Sequence, residues 1–110
     1  MNRVLGSAVL DYTLKFETPA EEYAYELERN HSYLELIPVA IAQLKPTDEA
    51  KQNVESLVES NRVAIEQARG YAGQQDYRKA LASVHTGTGY LQLALTAAGL
   101  ALPQEPKVDQ

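Results

Sequence analysis

Residues 54–102 decide the fold: VESLVESNRVAIEQARGYAGQQDYRKALASVHTGTGYLQLALTAAGLAL, two apolar-periodic segments broken once, at Gly73-Gln74-Gln75-Asp76. From Val54 the apolar positions continue through Leu57, Val58, Ala64, Ile65, Ala68, Tyr71 and Ala72, with Asn61 inside the stripe. From Tyr77 they continue through Ala80, Leu81, Val84, Leu91, Ala94, Leu95, Ala98 and Leu102, with Gly87 and Thr88 inside it. Spacing of three and four residues places each set on one helical face, and the seven-residue register gives each helix one seam to bury. Gly73 suits the left-handed residue past a helix end, and Asp76 suits the N-cap of the next helix. The stretch predicts a helical hairpin.

Working outward, Pro46-Thr47-Asp48 marks another turn, with Thr47 as the cap of the helix that follows. Before it, Thr18-Pro19-Ala20-Glu21 has the form of a helix start: a capping threonine, a proline in the first turn, and a glutamate placed for a capping box. The helix it opens extends to about Leu44 with Tyr23, Leu27, His31, Leu34, Ile37 and Ile41 in its stripe. Pro38 lies inside and predicts a kink between Leu34 and Pro38. Short loops between three helices of about 25 residues predict an all-α, up-and-down antiparallel bundle with an N-terminal arm. The expected organisation is an arm at 1–17, a bundle domain at 18–102 and a flexible tail at 103–110, where Pro103 and Pro106 sit among polar residues. Within the arm, Leu10, Tyr12, Leu14 and Phe16 alternate with polar residues as a strand would, while Val4, Leu5, Ala8, Val9 and Tyr12 also fit a helix face. An extended arm used in self-association is the favoured reading.

Composition bounds the function. With 110 residues the chain makes one domain, and its net charge of -5 argues against a nucleic-acid partner, which needs a basic face. Without cysteine there is no disulfide framework and no thiolate chemistry, which fits the cytoplasm and equally allows the periplasm. No apolar run approaches the length of a membrane span, and Val4 to Leu10 makes a poor signal peptide.

Two features point to sites. Residues 33–44 and 90–102 are apolar on nearly every side and fall at the same end of an up-and-down bundle. Three helices cannot bury all of that, so a second copy, a partner or ligand, or the N-terminal arm must cover it. A homodimer through Leu36, Val39, Leu93, Leu95 and Leu100 is the leading expectation, with a further protein partner as an option. Second, His31, Asn61 and Thr88, with Tyr90 close by, fall at one level on or beside the apolar stripes. Such groups must pair with one another, as a register-fixing asparagine does in a coiled coil, or line a small pocket. Gly87 and Gly89 cost about 1 kcal/mol each in a helix interior, so a packing or functional reason is expected for both.

Chemical motifs are sparse. Glu28-x-x-His31 is half of a di-iron bundle motif, but His85 has Ala82 where the second glutamate belongs, so no metal and no cofactor is expected. Thr86-Gly87-Thr88-Gly89 resembles a phosphate loop without its lysine or its preceding strand. Ala68, Tyr71, Tyr77, Ala80 and Val84 are spaced as in one tetratricopeptide hairpin, a resemblance over about a third of the chain that departs at Gln92, where that repeat carries proline. Arg78 and His85, seven apart on one helix face, resemble the arginine–histidine pair of HEPN ribonucleases, but the companion polar residue after Arg78 is missing. None of these carries a function over. The expectation is a non-enzymatic interaction or scaffolding module, with a ligand-binding bundle as the alternative and a HEPN-like ribonuclease third.

Overall fold

The computed structural model describes residues 16–100 as three helices, α1 (Pro19–Leu44), α2 (Asp48–Gly73) and α3 (Tyr77–Ala98), in an up-and-down bundle. No strand occurs among the described residues. The conformation expected for the arm over residues 1–15, and the tail at 103–110, lie outside them.

Each helix starts where its side chains satisfy the first free backbone N–H groups. Thr18 Oγ1 accepts from the Glu21 N–H at 3.1 Å, and Thr47 Oγ1 accepts from the Ala50 N–H at 3.1 Å. Asp76 Oδ1 accepts from the Lys79 N–H at 3.3 Å. The capping box at the start of α1 is displaced by one residue, since the Glu21 carboxylate receives the N–H of Glu17 rather than that of Thr18. Helix α1 continues through Pro38 without interruption.

The helix ends differ from expectation in two places. Gly73 remains helical, and the left-handed residue is Gln75 at φ 63°. The Asp76 N–H reaches back to the Tyr71 carbonyl at 2.9 Å and the Gln75 N–H to Ala72 at 2.9 Å, a Schellman closure centred two residues beyond the glycine. The third helix does not extend to Leu102. Gly99, at φ 107°, turns the chain out, and the Leu100 N–H bonds to the Leu95 carbonyl at 3.0 Å. A left-handed glycine with that bond ends the helix more strongly than the following apolar residues can prolong it.

Helix α3 is the central element. It packs most extensively against α2 and also against α1, whereas α1 and α2 scarcely meet. Small residues explain the order: Ala64 and Ala68 on α2, with Ala80, Gly87, Ala94 and Ala98 on α3, are buried and let the two backbones approach closely. The core falls into two apolar clusters. One gathers Ile37, Ala40, Val54, Ala94, Leu95 and Ala98 towards the α1–α2 turn. The other gathers Ala68, Ala80 and Val84 towards the α2–α3 turn, with Tyr23, Leu27 and Ile65 packed against it. Between them lies a layer that is polar.

Candidate functional site

The polar layer joins all three helices. Asn30 Nδ2 on α1 donates to Asn61 Oδ1 on α2 at 2.8 Å and to Thr88 Oγ1 on α3 at 3.0 Å. All three residues are buried, Asn30 and Asn61 to within 3% and 2% of full occlusion. Gly87 makes the space for this arrangement. A Cβ there would overlap Asn61 Oδ1 and stand 3.4 Å from Asn30 Nδ2. Gly89, by contrast, has nothing within 4 Å of where its Cβ would be, so the packing reason expected for it is absent.

The layer's member on α1 is Asn30 and not His31. One residue turns a helix by about 100°, which takes the histidine from the α3-facing side to the outside. There its side chain is mostly exposed and Nε2 lies 3.1 Å from Glu35 Oε2. Tyr90 is half-buried, but it follows Thr88 by about 200° of helix rotation and so points away from the layer. Asn30 stands one position ahead of His31, which also fits the stripe and so masks it in the sequence. The signal was present in the spacing. Leu27-x-x-Asn30-x-x-x-Leu34 repeats in Val58-x-x-Asn61-x-x-x-Ile65, so both helices carry an asparagine at the same place within one apolar heptad.

Because α1 and α2 scarcely touch, a groove of about 560 Å³ opens between them over the asparagine pair. Its apolar parts are Leu27, Leu34, Val58 and Ile65, and Asn30 and Asn61 lie at mid-length. His31 lines one side, while Glu59, Arg62, Glu66 and Arg69 line the other. Arg62 binds both glutamates, with Nε 3.0 Å from Glu59 Oε1 and Nη1 2.6 Å from Glu66 Oε2. The hydrogen bond from Arg62 holds the Glu59 carboxyl below its ordinary value; slight desolvation opposes this and the guanidinium charge adds to it. The same contacts raise Arg62 further, so Glu59 and Arg62 form an ion pair at any physiological pH.

Away from the groove, several large apolar side chains are exposed. Leu36 is 42% exposed, Val39 50% and Leu93 59%. All three lie in the C-terminal halves of α1 and α3, which run parallel, so they share one end of the bundle. Leu95 does not belong with them. It is fully buried in the core cluster, because it follows Leu91 by one helical turn on the face that packs inward. Leu100 is half-buried against the same cluster.

Among the described residues no group of three histidine, cysteine or acidic side chains could hold a metal ion, and no helix is long and apolar enough to cross a membrane. Arg78 is exposed, and His85 faces the Glu26 carboxylate on α1 at 3.8 Å, which ties the histidine to an interhelical contact. Thr86 and Gly87 are interior helical residues of α3, with the Thr86 hydroxyl donating to the Ala82 carbonyl at 3.0 Å, so no phosphate loop forms there. Compared with known proteins, the chain matches no family model, no curated protein and no solved structure.

Proposed function

We propose that the protein is a non-enzymatic interaction or scaffolding module that self-associates through the apolar end of α1 and α3. The observation that carries this reading is that Leu36, Val39 and Leu93 are all exposed at the same end of the bundle. Leu44, 42% exposed, lies at the same end. Single exposed leucines need no explanation, but several large aliphatic side chains exposed at one end of a small bundle offer apolar area that a second copy could cover. Magnitudes set the strength. Burying the exposed half of each of the three side chains contributes about 1 kcal/mol, and a two-fold interface counts each one twice, for about 6 kcal/mol in all. Association costs about 4–15 kcal/mol, so the expected dimer is weak and concentration-dependent.

Light scattering on a sizing column over a hundredfold range of loading tests it. The mass should rise towards twice 12.1 kDa as concentration increases. The double variant Leu36→Glu with Leu93→Glu should remain monomeric with unchanged helical circular dichroism. A parent protein that stays monomeric throughout ends this reading.

A second reading, a bundle that binds a small molecule, is favoured by the groove between α1 and α2. Its walls are apolar at Leu27, Leu34, Val58 and Ile65, and Asn30 and Asn61 are among its lining residues.

A further inference from the structure

We infer that residues 10–15 of this same chain dock in cis along one face of α1, from Tyr25 past Tyr33 to Leu36, and compete there with a second copy for Leu36. The competition rests on the self-association reading above; the docking does not.

The face is marked by a cavity and by a contact. A cavity of about 370 Å³ is lined by Tyr25, Glu28, Arg29, Ser32, Tyr33 and Leu36. All six belong to α1, at spacings of three and four residues that keep them on one side of the helix. A helix is convex, so among the described residues this cavity has one wall and lacks the facing one. Its two ends are apolar, with Tyr25 41% and Leu36 42% exposed. Phe16 already covers the near end: its ring lies against Tyr25, with centroids 5.4 Å apart and planes tilted by 46°.

That contact gives the direction of the chain. Phe16 precedes the N-cap Thr18, whereas Tyr25 lies about 9 Å inside the helix from Pro19. A ring that reaches so far from before the cap belongs to a chain that has turned back beside α1. The Glu17 N–H donates to Glu21 Oε1 at 2.9 Å and holds the turn. The α1–α2 groove is not the route, because Leu27, which lines it, is rotated about 160° around α1 from Tyr25.

Sequence and length select the occupant. Leu10, Tyr12, Leu14 and Phe16 alternate with Asp11, Thr13 and Lys15. In an extended segment alternate side chains share one side at steps of about 6.6 Å, close to the step of about 6 Å made by four helical residues. Leu10 then falls about 20 Å beyond Phe16, and Leu36 stands about 17 Å beyond Tyr25. Leu14, Tyr12 and Leu10 thus span the face, and Asp11, Thr13 and Lys15 turn to water. Ordering six residues of backbone costs about as much as burying three such side chains returns, so docking is near balance. A docked arm covers Leu36, and only a copy with its arm lifted can bury that leucine against another copy.

The experiment uses the full chain with Asp11→Cys carrying a nitroxide, a unique attachment point because the chain has no cysteine. In dilute, monomeric protein the label should broaden the amide NMR signals of Ser32, Tyr33 and Leu36 more than those of Glu21 and Glu22. Broadening strongest at the start of α1 and at the α2–α3 turn would mean a detached arm. Broadening at Val58 and Ile65 would mean an arm in the α1–α2 groove. Either result overturns the docking. Isotope-labelled protein without nitroxide, mixed with unlabelled protein that carries it, should keep these signals sharp; broadening in the mixture means arm exchange between copies and overturns docking in cis. The competition is read by light scattering on full-chain Leu10→Ser with Leu14→Ser. Near balance about half of the molecules have Leu36 free, and both partners must, so the variant should associate about fourfold more tightly than the parent. Unchanged or weaker association would overturn the competition, whatever the label shows. If parent and variant both stay monomeric, the self-association reading and the competition fall together, while the label result still decides the docking.

Discussion

Two glycines two residues apart on α3 have opposite meanings, and only their surroundings separate them. Gly87 sits where a Cβ would strike the Asn61 carbonyl oxygen, and Gly89 where a Cβ would meet nothing. Gly87→Ala should therefore displace the Asn61 side chain and break its 2.8 Å bond to Asn30. The cost of an unsatisfied buried amide, about 1–3 kcal/mol, exceeds the helix-propensity gain of about 1 kcal/mol. Gly89→Ala keeps the gain without the cost. Urea midpoints should fall for the first variant and rise for the second; a rise for both would mean that the polar layer tolerates rearrangement. Asn30 and His31 make the same point. Adjacent residues that both fit a stripe diverge by about 100°, and the one facing α3 is buried while its neighbour is solvated.

At the scale of the helix, starts were easier to read than ends. Thr18, Thr47 and Asp76 each accept the expected N–H, because an N-cap is a local bond between residues three apart. The left-handed residue after α2 is Gln75 and not Gly73, because the apolar contacts of Tyr71 and Ala72 keep the last turn helical through the glycine. Gln75 then occupies a left-handed conformation that favours glycine. Gln75→Gly should raise stability by about 0.5–1 kcal/mol, the relief of strain less the added entropy of the unfolded chain, measured as an increase in the denaturant midpoint. On the outer face of α2, Glu59 titrates below its ordinary value when folded. Its contribution is thus present above the unfolded carboxylate's titration and is lost as pH falls through the lowered folded value. Arg62 and both glutamates are more than half exposed, so solvent screens the contribution. Arg62→Ala should leave the acid-unfolding midpoint close to that of the parent; a large shift would mean that the rim is more structural than its exposure suggests.

For the molecule as a whole, the central position of α3 decides which apolar residues are available. α3 contacts both other helices, so its Leu91, Ala94, Leu95 and Ala98 are consumed in the core. Leu93 remains outside. Leu95→Ala should cost about 2–5 kcal/mol, a large part of the 5–15 kcal/mol typical of a domain, whereas Leu93→Ala should leave thermal stability of the dilute protein nearly unchanged. Comparable losses for both would show Leu93 to be covered. A charge at Leu95 would therefore unfold the chain, and only charges at Leu36 and Leu93 interrogate the proposed self-association. The weak pairing of α1 with α2 has a second consequence, the groove over the asparagines.

The sequence by itself determined the three helices, their caps, the turn positions and the antiparallel course, because these rest on local periodicity and on bonds between residues three or four apart. It also determined that a polar layer crosses the middle of the bundle at Asn61 and Thr88, since polar residues within an apolar stripe are visible without coordinates. Only the tertiary structure decided that Asn30 completes the layer, that Leu95 is core and Leu93 surface, and that α1 leans on α3 and leaves α2. Those outcomes depend on which side of each helix faces which neighbour. A stripe wide enough to fit several neighbours does not choose among them, whereas the small residues that bring α2 and α3 together do.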